Sequence, residues 1–533
     1  MDSADIAFTP RRPYNAVADF VDSHIAAGRA DKIAFVDPDR SLSYGELQAR
    51  SVRLAHALRA LGLEHERRVA LLLNDTVDYP VAFWGVVRSG NVAIPLNTFL
   101  NAQQYAYILA DSRAAALVAD AKLAQALWPV ISKLPHLQTV ILVGAIQDKA
   151  AFAGRDVRLF EDLIATAEAT PFAADTLSDE VAFWLYTSGS TGDPKGVKHV
   201  HSNLMATARL FGQGILGITE DDVVHSASKL FFAYGLGNAM TFPLSVGATA
   251  VLWPHRPTPE GVFETMRKHR PTIFYGVPSL YTALLAHKEI CQGAGSDRLR
   301  VCVSAGEALP AHIGERWRDV VGADVLDGIG STELLNTFLS NRPGDIRYGS
   351  TGKPVPGYET KIVDEHGHEL GVDEIGELIV RGPSAGEGYW NQRAKSRRTF
   401  CGEWTYTGDK YRRDADGYYY YCGRTDDMFK VSGMWVSPFD VEAALTSHEA
   451  VLEAAVIGKE DADGLIKPKA FIVLKNGFAA DEGLFETLKH HVKEKAGPWK
   501  FPRWIELRAD LPRTATGKIQ RFKLRDEDMR AGR

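Results

Sequence analysis

Residues 186–195 read YTSGSTGDPK, and the reading of the chain turns on them. They close an apolar run over 181–186 that has the make-up of a buried strand. They then pack Thr187, Ser188, Ser190 and Thr191 around Gly189 and Gly192 before Pro194 stops any helix. Glycines let backbone N–H groups approach an anion, hydroxyls add donors and Lys195 adds a point charge, so a nucleoside triphosphate suits this loop. It is not a Walker loop, which needs Gly, four residues and then Gly-Lys-Ser/Thr; here Pro194 takes the second glycine's place and Gly196 follows Lys195. A merely flexible loop explains Gly, Ser and Thr, but not a Pro-Lys-Gly ending after an apolar strand.

Working outward, 533 residues exceed what one core organises, so two or more domains are expected. Hydrophobic residues at 45% and charged residues at 24% are ordinary for a globular protein. A formal net charge of −6 gives no global attraction to nucleic acid or to an anionic membrane, so neither is expected as a partner. Cys291, Cys302, Cys401 and Cys422 show no metal-ligand spacing and read as reduced thiols. The start, MDSADIAFTPRRPYN, lacks a signal-peptide core and no run of about 18 apolar residues occurs, so a cytoplasmic location is expected.

Up to about residue 180, helical patterns alternate with short apolar runs. Residues 41–63 carry a capping serine, Ser43, with Glu46 three residues on, then helical periodicity and a glycine stop. Residues 68–75 read as a strand, and 81–97 as a helix feeding a strand. This alternation predicts an α/β fold with largely parallel sheets. It continues through glycine-rich turns at 301–309, 325–333 and 348–357, where ligands of open α/β sheets collect. Residues 375–425 switch to short alternating runs of antiparallel character, with Tyr418, Tyr419, Tyr420 and Tyr421 expected to pack a core. Beyond them a small α+β unit is predicted: helices at 442–448 and 484–498, and strands at 452–459 and 470–475. The expected division is 1–425 and 426–533.

Three further stretches carry chemistry. In GIGSTE, 328–333, Thr332 offers a hydroxyl to a phosphate and Glu333 a hard oxygen to Mg²⁺, although a helix capping box would use the same residues. In TYTGD, 405–409, the Asp409 carboxylate suits a ribose diol, and in GRTDD, 423–427, Arg424 suits a phosphate. In PRTATGKIQR, 512–521, Lys518 follows a glycine-containing turn from which it can project into a cleft.

In order and spacing, these four motifs resemble those of the acyl-adenylate-forming superfamily of acyl-CoA synthetases, peptide-synthetase adenylation domains and luciferases. The resemblance implies a large N-terminal α/β domain with a small β-barrel-like part, and a small mobile α+β C-terminal domain hinged at Asp426. It implies ATP, Mg²⁺ and coenzyme A as cofactors. Thr187, Ser188, Gly189, Ser190, Thr191, Gly192, Lys195, Ala305, Gly306, Glu307, Asp327, Gly328, Ile329, Asp409 and Arg424 would hold ATP or AMP. Glu333 would hold the metal, with Thr332, Glu333 and Lys518 catalytic. Ile329 departs from the pattern, since the family usually carries an aromatic residue there to stack on adenine.

Residues 228–238, SKLFFAYGLGN, resemble the acyl-pocket motif of the aryl-CoA ligases that activate benzoate and hydroxybenzoates. Phe232, Ala233, Tyr234, Gly330, Asn336 and Thr337 would line the pocket, while Lys430, Ser432, Gly433 and Trp435 would serve thioester formation with CoA. Asn336 and Thr337 stand where benzoate ligases carry His and Ile. An amide and a hydroxyl facing a ring demand a polar substituent, as on a hydroxy- or aminobenzoate; otherwise both bond neighbouring backbone. The expected reaction joins an aromatic acid to CoA through an aryl-AMP, with Lys518 used for the first step and withdrawn for the second. Loading of a carrier protein and non-catalytic nucleotide binding are the alternatives, and a homodimer is allowed for.

Overall fold

In the strand Arg68–Leu72, Val69 and Leu71 enter one layer of side chains and Ala70 and Leu72 another. A strand covered on both faces therefore reads as an unbroken apolar run. The structure, a computed structural model, describes residues 12–146, 149–187, 193–431, 434–462, 464–478, 481–513 and 519–531.

Arg68–Leu72 lies in a seven-stranded sheet ordered Asp156–Leu159, Thr139–Val143, Ala116–Asp120, Arg68–Leu72, Val92–Pro95, Val181–Thr187 and Lys195–Val200. Its pairings are parallel except the last. A nine-stranded sheet has a parallel centre of Val325–Gly330, Val301–Ser304, Ile273–Gly276, Val223–Ser226, Thr249–Val251 and Ile33–Val36. Antiparallel edge strands flank it: Thr337–Ser340 and Lys353–Pro354 on one side, Ser41–Ser43 on the other. One core fills the space between the sheets, joining Val69, Phe183 and Leu185 to Val224, Tyr275 and Leu326. The outer faces are closed by helices, through Tyr105 and Ile108 on the first sheet and Phe263 and Trp317 on the second. This is the expected parallel-rich α/β architecture.

The signature loop departs from a phosphate loop in one respect. Lys195 does not precede a helix; it begins the strand Lys195–Val200, which folds back antiparallel on Val181–Thr187 with Thr187 opposite Lys195. The two strands are thus antiparallel neighbours at the sheet's edge, and Pro194, which lacks an N–H, immediately precedes the second.

The antiparallel region forms a five-stranded half-barrel from Glu359–Val363, Gly376–Arg381, Phe400–Cys401, Trp404–Arg413 and Tyr419–Arg424. Tyr418 and Tyr419 are buried in it, while Tyr420 and Tyr421 are half-buried. The smaller C-terminal domain packs helices Pro438–Thr446 and Glu482–Ala496 on a sheet of Val451–Glu460, Ile466–Leu474 and Trp504–Leu507. Its last helix, Arg521–Ala531, is tied down by ion pairs from Arg521 to Glu442, 2.6 Å, and from Arg525 to Asp427, 2.7 Å.

Helix Tyr44–Ala60 starts on the predicted capping box: Ser43 Oγ accepts from the Glu46 N–H at 3.2 Å, and the Glu46 carboxylate accepts from the Ser43 N–H at 2.7 Å. Replacing Ser43 by Ala leaves an N–H without its partner at the helix start. We expect a loss of about 1 kcal/mol, seen as a lower urea midpoint for the N-terminal domain, with a smaller loss for Ser43→Gly.

Candidate active site

The carboxyl ends of the central parallel strands are where the acyl and nucleotide motifs gather. Phe232, Ala233 and Tyr234 follow the strand Val223–Ser226, and the Tyr234 hydroxyl lies 3.1 Å from the Val303 carbonyl and 3.3 Å from that of Gly276. It thereby fastens the acyl motif across two strand ends. Ala305, Gly306 and Glu307 leave the end of Val301–Ser304, and Asp327, Gly328, Ile329 and Gly330 form the end of Val325–Gly330. Gly330 is required by a close approach, since a Cβ there would lie 2.5 Å from the Asn336 carbonyl oxygen.

Asn336 and Thr337 are buried and already partnered. The Asn336 amide donates to the Ala233 carbonyl at 3.0 Å; its oxygen accepts from the Thr337 N–H at 2.8 Å and the Thr337 hydroxyl at 3.0 Å. The expectation that this pair demands a polar ring substituent is therefore corrected: its polar atoms are satisfied within the protein, and bare benzoate meets no desolvation penalty from them.

The buried Asp327 differs. Its Oδ1 has no hydrogen-bond partner among the described residues, and burial pushes its carboxyl well above the ordinary carboxylate range. A buried acceptor left in this state fits a ligand that brings its own N–H, as an exocyclic amine does.

Three charges meet beside this floor. Lys195 begins the edge strand Lys195–Val200, Glu333 follows the strand Val325–Gly330, and Arg424 ends the strand Tyr419–Arg424. Burial lowers the Lys195 pKa while the Glu333 charge raises it, and Arg424 also acts on Lys195. Arg424 pairs with Asp409 at 3.1 Å across the half-barrel, where the two residues are direct strand neighbours. Glu333 and Thr332 are half-buried, so a hard oxygen and a hydroxyl are not sealed inside the core. Among the described residues no cluster of three His, Cys, Asp or Glu could hold a metal alone. A cation here would be shared between Glu333 and phosphate oxygens, the arrangement Mg²⁺ favours.

Two residues that the sequence gave no reason to single out hold this arrangement together. His199 Nε2 contacts the Thr332 carbonyl at 2.8 Å, and its ring stacks on Phe183 with centroids 5.1 Å apart. Burial lowers its pKa to about 4, so the neutral ring donates through Nε2 and keeps Nδ1 as an acceptor, with the Asn203 amide 3.3 Å away. Tyr389 is the second, and its hydroxyl donates to Glu333 Oε1 at 2.7 Å. A histidine in a strand and a tyrosine in an antiparallel region look like core, and only their tertiary neighbours make them otherwise.

Lys430 and Trp435 are opposite neighbours in the hairpin of Phe429–Val431 with Met434–Val436; both are exposed, with the Lys430 ammonium 4.8 Å from the Trp435 ring centroid. Asp426 is exposed beside it. Ser188, Gly189, Ser190, Thr191, Gly192, Ser432, Gly433 and Lys518 lie outside the described residues.

Comparison with known proteins matches two family models, the AMP-binding enzyme over residues 23–390 and the AMP-binding enzyme C-terminal domain over 440–518. The chain is 53% identical over 518 residues to a 4-hydroxybenzoate–CoA/benzoate–CoA ligase of Rhodopseudomonas palustris, covering 97% of this chain and 95% of that one. It is 52% identical to a benzoate–CoA ligase of Thauera aromatica, with 96% of each covered. Among solved structures, a benzoate CoA ligase from Burkholderia xenovorans superposes with a TM-score of 0.88 at 49% identity, over 96% of this chain and all of that one. An anthranilate CoA ligase bound to anthranoyl-AMP gives 0.92 at 41%, with both chains covered at 100%.

His199, His201 and His225 are all buried, and burial lowers each pKa to about 4. The unfolded chain binds their protons near pH 6.5 and the folded chain does not, so stability falls as pH drops from about 6.5 to 4. Each histidine steepens this loss by about 1.4 kcal/mol per pH unit. Denaturant titrations at stepped pH should show His199→Gln shallower by about one proton.

Proposed function

The chain belongs to the AMP-binding enzyme family, and from that premise we infer that it is an AMP-forming aryl-CoA ligase, converting ATP, a benzoate-type acid and CoA to aryl-CoA, AMP and pyrophosphate. What carries this reading is the meeting of Lys195, Glu333 and the Asp409–Arg424 pair, drawn from both large sheets and the half-barrel, beside a floor that already contains the acyl motif. The relatives named as benzoate and hydroxybenzoate ligases match over nearly their whole length, which favours CoA over a carrier protein as acceptor. Membrane attachment through a helix has no support, since no helix among the described residues is long and apolar enough to cross a membrane.

In the first step the carboxylate of the aromatic acid attacks the α-phosphate of ATP. The acid is already ionised, so no side chain need serve as base. Asp327 Oδ1 accepts the adenine amino group, Asp409 takes the ribose diol and Arg424 pairs with a phosphate while still bonded to Asp409. Lys195 and the hairpin loop oppose charge on the phosphates, and Lys518 bridges the two reactants. Mg²⁺, held by Glu333 together with phosphate oxygens, would neutralise part of the same charge. The ring lies against Phe232, Ala233 and Tyr234, with Gly330 leaving it room. Pyrophosphate leaves and aryl-AMP remains. The small domain then turns about Asp426, withdraws Lys518 and brings Lys430, Ser432, Gly433 and Trp435 over the cleft. There the CoA thiol displaces AMP.

Pyrophosphate release across benzoate, the hydroxybenzoates, 2-aminobenzoate, cinnamate and a fatty acid, with and without CoA, tests the reading. Benzoate should be accepted as well as its hydroxylated relatives; activity confined to cinnamate or the fatty acid would refute the substrate class. Lys518→Ala should slow adenylation roughly 10²- to 10³-fold, as for loss of one placed charge-stabilising donor. Thioester formation from preformed benzoyl-AMP should largely survive, and equal loss in both half-reactions would exclude domain alternation.

A further inference from the structure

Tyr389 touches both charged partners of the site at once. Its hydroxyl donates to Glu333 Oε1 at 2.7 Å, with Thr399 Oγ1 3.4 Å on the other side, and its ring lies under the Lys195 ammonium, 4.3 Å from ring centroid to Nζ. The residue is buried at 5% exposure, packs edge-on against Phe400 and donates its backbone N–H to Ser396 Oγ at 2.9 Å. Its backbone is fixed just as closely. The Lys198 N–H donates to the Gly388 carbonyl at 3.1 Å, the Trp390 N–H to the Gly196 carbonyl at 2.8 Å and the Gly386 N–H to the Glu333 carbonyl at 2.9 Å. The segment 386–390 is therefore a strap between the strand that begins with Lys195 and the residue that ends the STE motif.

We propose that Tyr389 is a positioning residue of the adenylation site: its hydroxyl holds Glu333 in the orientation that presents the carboxylate to a phosphate-bound divalent cation, and its ring holds Lys195 beside it. The inference rests on the ligase reading above, and it gives Tyr389 a task that burial alone would not require. A carboxylate has two oxygens. Once Oε1 accepts the tyrosine hydroxyl, the group's rotation is fixed and the remaining lone pairs face a defined direction. The aromatic face offers Lys195 a resting place that is attractive yet weaker than an ion pair, so the ammonium stays available to an incoming phosphate.

The two halves of the proposal separate by substitution. Tyr389→Phe keeps the ring under Lys195 and removes only the hydroxyl; Tyr389→Leu removes both. Mn²⁺ binding to the enzyme with a non-hydrolysable ATP analogue, followed by electron paramagnetic resonance, reads the cation directly. Tyr389→Phe should weaken Mn²⁺ binding roughly 10- to 100-fold, as for other residues that orient a metal-ligating carboxylate. It should leave the affinity for the metal-free analogue and the thermal midpoint near those of the parent. Tyr389→Leu should weaken the metal-free analogue as well. A Tyr389→Phe enzyme that folds normally and binds Mn²⁺ like the parent would overturn the proposal. Glu333→Gln provides the reference: if it too binds Mn²⁺ normally while the parent still releases pyrophosphate with benzoate, the metal role of Glu333 fails and the Tyr389 proposal falls with it. A parent without benzoate-dependent pyrophosphate release defeats the ligase reading instead.

Discussion

Opposite charges from two sheets have to be held near one another without collapsing into a simple ion pair, and the architecture of the site answers to that constraint. Lys195 belongs to the seven-stranded sheet, and Glu333 to the end of a strand in the nine-stranded one. Near a protein surface, opposite unit charges at contact attract by about 4 kcal/mol. Unrestrained, they would neutralise each other and leave less for a phosphate. Each is instead engaged sideways: the ammonium rests over the Tyr389 ring, and the carboxylate takes the hydroxyl of the same residue. Beneath them, His199 on the lysine's own strand holds the Thr332 carbonyl. The two sheets are thus joined at the site by specific hydrogen bonds as well as by their shared apolar core.

That division of labour explains what was legible from residues alone. The parallel-rich sheets could be read because both-face burial writes itself into the chain as continuous apolar runs such as RVALL, and the helix at Tyr44 because Ser43 and Glu46 carry its cap. Asp409 and Arg424, marked by their motifs, are paired by the fold directly across two strands, a contact that the motifs did not announce. The antiparallel strand that begins at Lys195 could not be read. A turn rich in Gly, Ser and Thr says nothing about the strand that follows, and the pairing of Thr187 with Lys195 belongs to the sheet edge. Tyr389 and His199 were invisible for a related reason, since each is an ordinary core residue type whose partners lie 56 and 133 residues away.

Asn336 and Thr337 show how inference from residue type goes astray in the other direction. Their polar atoms looked like specificity determinants because a ring would have to desolvate them. The fold satisfies them first, through two hydrogen bonds between adjacent residues and one that spans 103 positions to Ala233. Asp327 is the contrasting case: the neighbouring strand Val325–Gly330 carries a buried oxygen with no partner among the described residues. Of these polar groups, Asp327 Oδ1 is the one left without a partner among the described residues.

The same reasoning bears on how the proposed turn about Asp426 would reach Lys518. The chain on either side of residues 514–518 is pinned: Arg513 bridges to Ile519, the Gln520 N–H donates to the Pro512 carbonyl at 2.8 Å, and Arg513 pairs with Glu453 at 2.7 Å. Directly afterwards Arg521 grips Glu442 with two nitrogens, and Arg525 takes Asp427, the residue that follows the proposed pivot. Arg521 is itself half-buried, so its pairing with Glu442 is shielded from solvent and resists being pulled apart. The helix that follows the lysine loop is consequently anchored at the pivot end of the domain. A rotation there would carry this helix and the pinned residues 512–513 and 519–520 together with the small domain.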